Sequence, residues 1–315
     1  MAGENFYPGE PLQDDEIRVT LLGTGTPFPR RAQACASVFV EAGTDKFLLD
    51  CGSGAPQNFT SLEIPFTAVD KIFTTHHHVD HIGGIDHFWI GGWTYGRTTP
   101  LKVWGPPGTD KIVRHLRGIY EWDIETRLDA LPPGGHEIEC SEFGQDGAIY
   151  DNSDNGGVKI TAFKVLHCEP QNTFAMKVEY KERTFVFSAD TKKCASMLHH
   201  AANCDLLVHE AFPPAELYAA KSNRPLEVAK KISEVYHTSP REAGEVFAET
   251  NPRMAVIYHM YNNEDVIGPA LNQIRENYHG PVEIGYDLMV INVADEIRVR
   301  PAVVSDKPWP IGRTA

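Results

Sequence analysis

Two periods of apolar residues alternate along this chain, and their order predicts its architecture. "IRVTLLGTG", beginning at Ile17, reads as a strand, and "CASVFVEAGTDKFLLDCG" reads as a hairpin around Gly43-Thr44-Asp45. "VDKIFTT" is a further strand, and "LKVWGPPG" a short one closed by Pro106 and Pro107. The period then lengthens: Ile112, Leu116 and Ile119 in "GTDKIVRHLRGIYEWDIETRL" recur at helical spacing. A second series repeats the order. "VKITAFKVLH", "FAMKVEY" and "RTFVFSAD" are strands, "TKKCASMLHHAAN" a helix and "CDLLVHEA" a strand. "SPREAGEVFAETN" is a helix that Ser239 caps, with Glu242 three residues on to close a capping box. "MAVIYHM" is a strand, "NEDVIGPALNQIRENYHG" a helix stopped by Gly280, and "VEIGYDLMVINV" and "EIRVR" end the series.

Each half thus begins strand-rich and then alternates strands with helices. That order predicts an α/β fold, two mixed β-sheets packed face to face with helices outside, an αββα sandwich. Residues 1–16 are polar and proline-rich and are expected to lie over the surface as an N-terminal extension, leaving 17–315 as a single domain. "SEFGQDGAIYDNSDNGG" reads as an exposed turn region. "DHFWIGGWTYGRTT" has two readings: a core helix with its turn, or an aromatic wall (Trp89, Trp93, Tyr95) beside a functional site.

Composition narrows the function. With 315 residues, 42% of them hydrophobic, the chain can bury a large core. No apolar run approaches the ~18 residues of a membrane span. "MAGENFYPGEPLQDDE" lacks the basic and apolar regions of a signal peptide, so a cytoplasmic location is expected. A net charge of −14 weighs against a nucleic-acid partner, because phosphate backbones are bound by Lys and Arg. The six cysteines form no CxxC pair, which argues against a thiolate metal site.

The chemistry concentrates in "HHHVDH" at the end of a predicted strand. Alternate residues of an extended segment point the same way, so His76 and His78 converge while His77 faces away. Asp80 and His81 fall in the turn into the next helix. Imidazole and carboxylate suit zinc and similar divalent ions. Each ion needs further ligands, and His167, Asp190 and His259 all stand at the C-terminal ends of predicted strands, where open sheets place ligand sites. The expected set is His76, His78 and His167 on one metal, Asp80, His81 and His259 on the other, and Asp190 between them. Zinc is the expected ion, and a set without thiolate also accepts manganese or iron. His87, His115, His136 and His279 read as ordinary core or surface histidines, and the adjacent His199 and His200 point to different helix faces.

The HxHxDH pattern followed by single His, Asp and His at later strand ends resembles the metallo-β-lactamase superfamily. "LLGTGTP" and "LLDCG" resemble the opening strands of the branch that includes ribonuclease Z and the zinc-dependent arylsulfatases. The resemblance spans nearly the whole chain. It implies that Asp50 supports the ligand loop, and that two cations ionise a water that attacks an ester centre. "YHTSPREAGEVFA" and "DLLVHEA" resemble the segments in which a histidine, here His237, assists the reaction and a glutamate, here Glu210, orients it. Asp80, His237 and Glu210 are therefore the expected catalytic residues.

The chain also departs from ribonuclease Z. Only 22 residues separate His167 from Asp190, where those enzymes carry a tRNA-binding arm, and "SADT" stands where "SGDT" is usual. These departures and the acidic charge favour an arylsulfatase-like hydrolase of a small-molecule ester: a sulfate ester, phosphodiester, carboxylic ester or lactone. An arm-less ribonuclease Z-like tRNA 3'-processing endonuclease is the alternative. A metal-binding module without catalysis is disfavoured by the complete ligand set. A homodimer is compatible with the resemblance.

Overall fold

A computed structural model describes residues 4–168 and 172–308. Its strands, in chain order, begin with β1 (Ile17–Gly23), β2 (Ser37–Ala42), β3 (Asp45–Leu49), β4 (Lys71–Phe73), β5 (Leu101–Gly105), β6 (Ile138–Glu142) and β7 (Gly147–Asp151). They continue with β8 (Lys159–Val165), β9 (Thr173–Tyr180), β10 (Arg183–Phe187) and β11 (Leu206–Glu210). The last are β12 (Met254–Tyr258), β13 (Val282–Ile284), β14 (Met289–Val293) and β15 (Ile297–Pro301). Eight strands form one sheet, in the order β15-β14-β1-β2-β3-β4-β5-β6, and seven the other, in the order β13-β12-β11-β10-β9-β8-β7. Both are mixed: β3 to β6 run parallel in the first, β10 to β13 in the second, and the remaining pairs are antiparallel.

The alternation of side chains along each strand builds three apolar layers. Val38 and Val40, Phe47 and Leu49, and Phe73 face inward and meet Phe185, Phe187, Val208 and Val256 of the opposite sheet. Their neighbours Phe39, Leu48 and Ile72 face outward under a helical layer containing Phe59, Phe88, Trp89 and Trp93. On the far side, Val186, Leu207 and Ile257 meet Phe247 and Ile274 of the outer helices. Strands covered on both faces must be apolar on both. The same parity directs the chemistry. On β11, Glu210 shares the inward face of Val208, whereas His209 points outward toward Phe247, with ring centroids 6.0 Å apart.

Two expectations need correction. The turn region read from "SEFGQDGAIYDNSDNGG" contains β7, an edge strand paired with β8 through an irregular register between Ala148 and Tyr150. An edge strand needs only one ladder partner and can be mostly polar. The extension is also more than a surface tail. Phe6 is buried between the guanidinium groups of Arg18 and Arg300, 4.9 and 5.3 Å from its ring. Positions 1–3 of the extension and 309–315 of the domain lie outside the described residues. No helix among the described residues is long and apolar enough to cross a membrane.

Candidate metal centre

The site is built at the C-terminal ends of strands from both sheets, parallel β4, β10 and β12 and antiparallel β8. After β4 the chain carries His76 and His78, then a one-turn helix, Val79–Ile82, that presents Asp80 and His81. From the second sheet come His167 after β8, Asp190 after β10 and His259 after β12. His76, His78, His167 and Asp190 each offer a ligand atom, all within 4.8 Å of one another. Asp80, His81, Asp190 and His259 form a second such group, with Asp190 common to both. His167 Nε2 lies 3.3 Å from His78 Nδ1, His259 Nε2 3.1 Å from Asp80 Oδ2, and His81 Nε2 3.3 Å from Asp190 Oδ1. His77 faces away and bonds Thr109 Oγ1 at 2.8 Å.

The outer nitrogens of three of these rings are fixed. Asp50 accepts from His81 Nδ1 at 2.7 Å, from the Thr75 amide at 2.8 Å and from the Thr75 hydroxyl at 2.8 Å. That hydroxyl accepts from His76 Nδ1 at 3.0 Å, and the Tyr236 carbonyl accepts from His167 Nδ1 at 2.8 Å. Each such bond selects the tautomer whose Nε2 lone pair faces the cluster. The "LLDCG" segment is stitched to the same loop, with the Cys51 amide donating to the His81 carbonyl at 2.7 Å. Gly52 is required there, because a Cβ would stand 2.1 Å from the Asp80 carbonyl oxygen. Asp50, Ala189 and His259 adopt positive φ angles of 55°, 56° and 55°. Such strain beside three strand ends marks a constrained site.

The donor set fits divalent cations. Among the described residues, His76 Nε2, His81 Nε2, Asp80 Oδ1 and Asp190 Oδ1 are buried and make no hydrogen bond, although buried polar atoms are ordinarily paired. Burial holds His76 well below the usual histidine range and His167 down to about 4, which keeps both in the neutral form that binds metal. Burial opposes charge on His81 too, but Asp190, Asp50 and Asp80 outweigh it and raise its pKa. Asp190 is likewise buried, yet His259 and His81 hold its carboxyl well below the ordinary carboxylate range.

His237 stands beside the ligand groups, with Glu210 and His259 close by. Its Nδ1 lies 3.0 and 3.1 Å from the two Glu210 oxygens, and its ring stacks 5.4 Å from His259. Glu210 also accepts from the Thr191 amide at 2.6 Å. Burial and the charge of Asp190 raise the Glu210 pKa, and burial lowers that of His237. The loop is anchored on both sides. Ser239 forms the expected capping box with Glu242 at the head of the helix Pro240–Thr250, and Glu242 pairs with Lys192 at 2.7 Å.

Trp89 and Trp93 do not wall this site. Both are fully buried in the helix Ile85–Thr94, their indole nitrogens donating to the His136 and Pro132 carbonyls. The aromatic neighbour is Phe212, stacked on His237 at 4.6 Å with the planes 17° apart. It follows the motif glutamate by two residues, and no periodicity marks it. Thr75 sits beside the histidine run, where its position offered a signal. The Tyr236 contact is made by backbone and left none.

A family model described as "Anti-Pycsar protein Apyc1" matches residues 17–213. The chain belongs to this family, within the metallo-β-lactamase superfamily. The family match takes in the ligand loop, His167, Asp190 and Glu210, and ends before His237 and His259. A ribonuclease Z of Mycobacterium sp. (strain KMS) is 30% identical over 299 residues, 91% of this chain and 99% of its own. The metallo-β-lactamase fold protein YhfI of Bacillus subtilis superposes with a TM-score of 0.66 at 20% identity, covering 88% of this chain and 100% of its own. The short form of human tRNase Z superposes at 0.62, also at 20% identity, covering 88% of this chain and 99% of its own. These structures share the fold, and the chain is a metal-dependent hydrolase.

Proposed function

We propose that this family member hydrolyses phosphodiesters in the manner of ribonuclease Z, on an RNA end or another nucleotide diester. The arylsulfatase-like reading gives way, because curated relatives across nine-tenths of the chain are named ribonuclease Z. For the same reason an acidic net charge no longer disfavours a nucleic-acid substrate. The observation that carries the reading is His237, held by Glu210 beside two ligand groups that share Asp190.

His76, His78 and His167 would hold one divalent cation, Asp80, His81 and His259 the other, and Asp190 would serve both. When bound, such a pair supplies a water ionised near neutral pH and positive charge for the phosphoryl oxygens. The chain's own residues do the rest. With Nδ1 fixed on Glu210, the protonated His237 ring would have its Nε2–H left for the substrate, where it can bond a phosphoryl oxygen or pass that proton to the departing alkoxide and become neutral. Glu210 keeps that ring from rotating. Asp80, with Oδ1 unbonded, can accept a hydrogen bond from the attacking water.

A small nucleotide diester is the second reading, favoured by the short connection between His167 and β9: only positions 168–172 intervene, too few for a tRNA-binding arm. The test is metal content and turnover of a precursor tRNA, a nucleotide diester, bis(p-nitrophenyl) phosphate, an aryl sulfate and a lactone, for the wild type and Asp80→Ala. Two cations per chain and diester turnover lost in the variant support the proposal. Turnover confined to the sulfate or lactone overturns it.

A further inference from the structure

Beyond Phe212 lies a second cavity of about 450 Å³, lined by Phe28, Arg30, Tyr218, Lys221, Arg224 and Tyr261 among others. That is ample for a nucleotide-sized ligand. Its link to the metal centre runs through Phe212. The Phe212 ring stacks on His237 and meets Tyr218 edge-on at 5.0 Å, and Tyr261 follows His259 by two residues. Tyr218 and Tyr261 are nearly parallel, 22° apart, with centroids 6.4 Å from each other. Phe28, 64% exposed, adds an apolar ring to the lining.

The charges point the same way. Arg30 lies over the Tyr261 ring at 5.4 Å and donates to the Asn263 and Asn262 side-chain oxygens at 2.8 and 2.9 Å. Arg224 lines the same cavity as Tyr218 and acts on its hydroxyl, whose pKa burial raises and the guanidinium partly lowers. Lys221 is paired with Asp265, but among the described residues neither arginine has a carboxylate within ion-pair reach. In a protein of net charge −14, two guanidinium groups without a carboxylate partner beside paired tyrosines form a local anion site with an aromatic wall.

We propose that this cavity holds the nucleotide flanking the scissile phosphodiester, with its base against Tyr218 and Tyr261 and its second phosphate at Arg30 and Arg224. The proposal rests on the phosphodiesterase reading above. Base stacking on aromatic side chains is sequence-tolerant, so selection among bases is expected to be weak.

Two measurements on metal-loaded protein test it. One compares kcat/KM for the 5'-p-nitrophenyl ester of uridine 3',5'-bisphosphate, whose 3'-phosphate is the second one, with that for bis(p-nitrophenyl) phosphate, in wild type, Arg224→Met and Tyr261→Leu. The ratio of nucleotide to generic diester should fall at least tenfold in each variant, and an unchanged ratio overturns the proposal. The other titrates uridine 3',5'-bisphosphate and a short RNA by calorimetry, which reads the cavity even if no diester is turned over. Affinity lost at least tenfold in both variants supports it, and unchanged affinity overturns it. RNA binding well above the mononucleotide assigns the cavity to a polymer end, and equal binding assigns it to a free nucleotide. Failure of the chemistry would appear as no diester turnover by the wild type. Failure of the cavity would appear as variants that bind and discriminate like the wild type.

Discussion

His237 is the residue whose role is most sharply exposed to experiment. Among the described residues no hydrogen bond joins it to the two ligand groups, and its ring is held from outside by Glu210. His237→Ala is therefore expected to lower kcat/KM on a phosphodiester by about 10²–10⁴-fold while both cations remain bound. Steady-state kinetics with elemental analysis would check this, and loss of metal would instead make His237 structural. Ala189 offers a quieter test. Its φ of 56° lies in the region that glycine adopts freely. Ala189→Gly relieves about 1–2 kcal/mol of left-handed strain and gives back about 0.4–1 kcal/mol to unfolded-chain entropy. A rise in unfolding free energy of roughly 0.5–1 kcal/mol in denaturant titration is the expected outcome. At this scale the sequence was highly informative where a residue type announces its chemistry. His76, His78, Asp80, His81, His167, Asp190 and His259 were all nameable and are gathered within one cluster. Phe212 was not, because a phenylalanine after a strand reads like any core residue until the fold sets it against His237.

The elements carry these residues by parity and by capping. The helix Pro240–Thr250 begins two residues after Thr238, and its capping box fixes the direction in which the chain leaves His237. Ser239→Ala removes the hydroxyl that accepts from the Glu242 amide at 3.3 Å and donates to its carboxylate at 2.9 Å. A loss of about 1 kcal/mol is expected, read as a lowered Tm together with a reduced kcat as the His237 loop loosens. An unchanged kcat would separate helix stability from the loop. Strands with alternating apolar residues, such as β2 and β3, were legible because both faces are buried and the hairpin turn is explicit. β6 and β7 escaped because edge strands owe their pairing to a neighbour and not to their own pattern. The aromatic helix Ile85–Thr94 was ambiguous for a different reason: tryptophan suits a core and a binding wall equally, and only burial decides.

Across the whole molecule, the two sheets are joined by more than apolar contact. Asp45 begins β3 in the first sheet and accepts from the Tyr150 hydroxyl at 2.7 Å, the Asn152 amide at 3.0 Å and the Val158 amide at 3.0 Å on the second-sheet side. Burial works against its charge, but these bonds and Lys71 outweigh it and hold the carboxyl below its ordinary 3.8. A lowered folded pKa means stability present in full above that ordinary value and lost as pH falls through the folded one. The Tm gap between wild type and Asp45→Asn should thus be widest near neutrality and narrow below about pH 4. A gap that does not vary with pH would remove the ionic contribution. The global arrangement was readable from the order of elements, whereas this crossing contact joins residues over a hundred positions apart and left no local trace. The ligand groups are divided in the same way, four of the seven donors on a loop of one leaf and three on strand ends of the other. An ion seated among them is thus also a rivet. Metal supply then governs cohesion as well as turnover, and a starved protein would part first along the seam between its leaves.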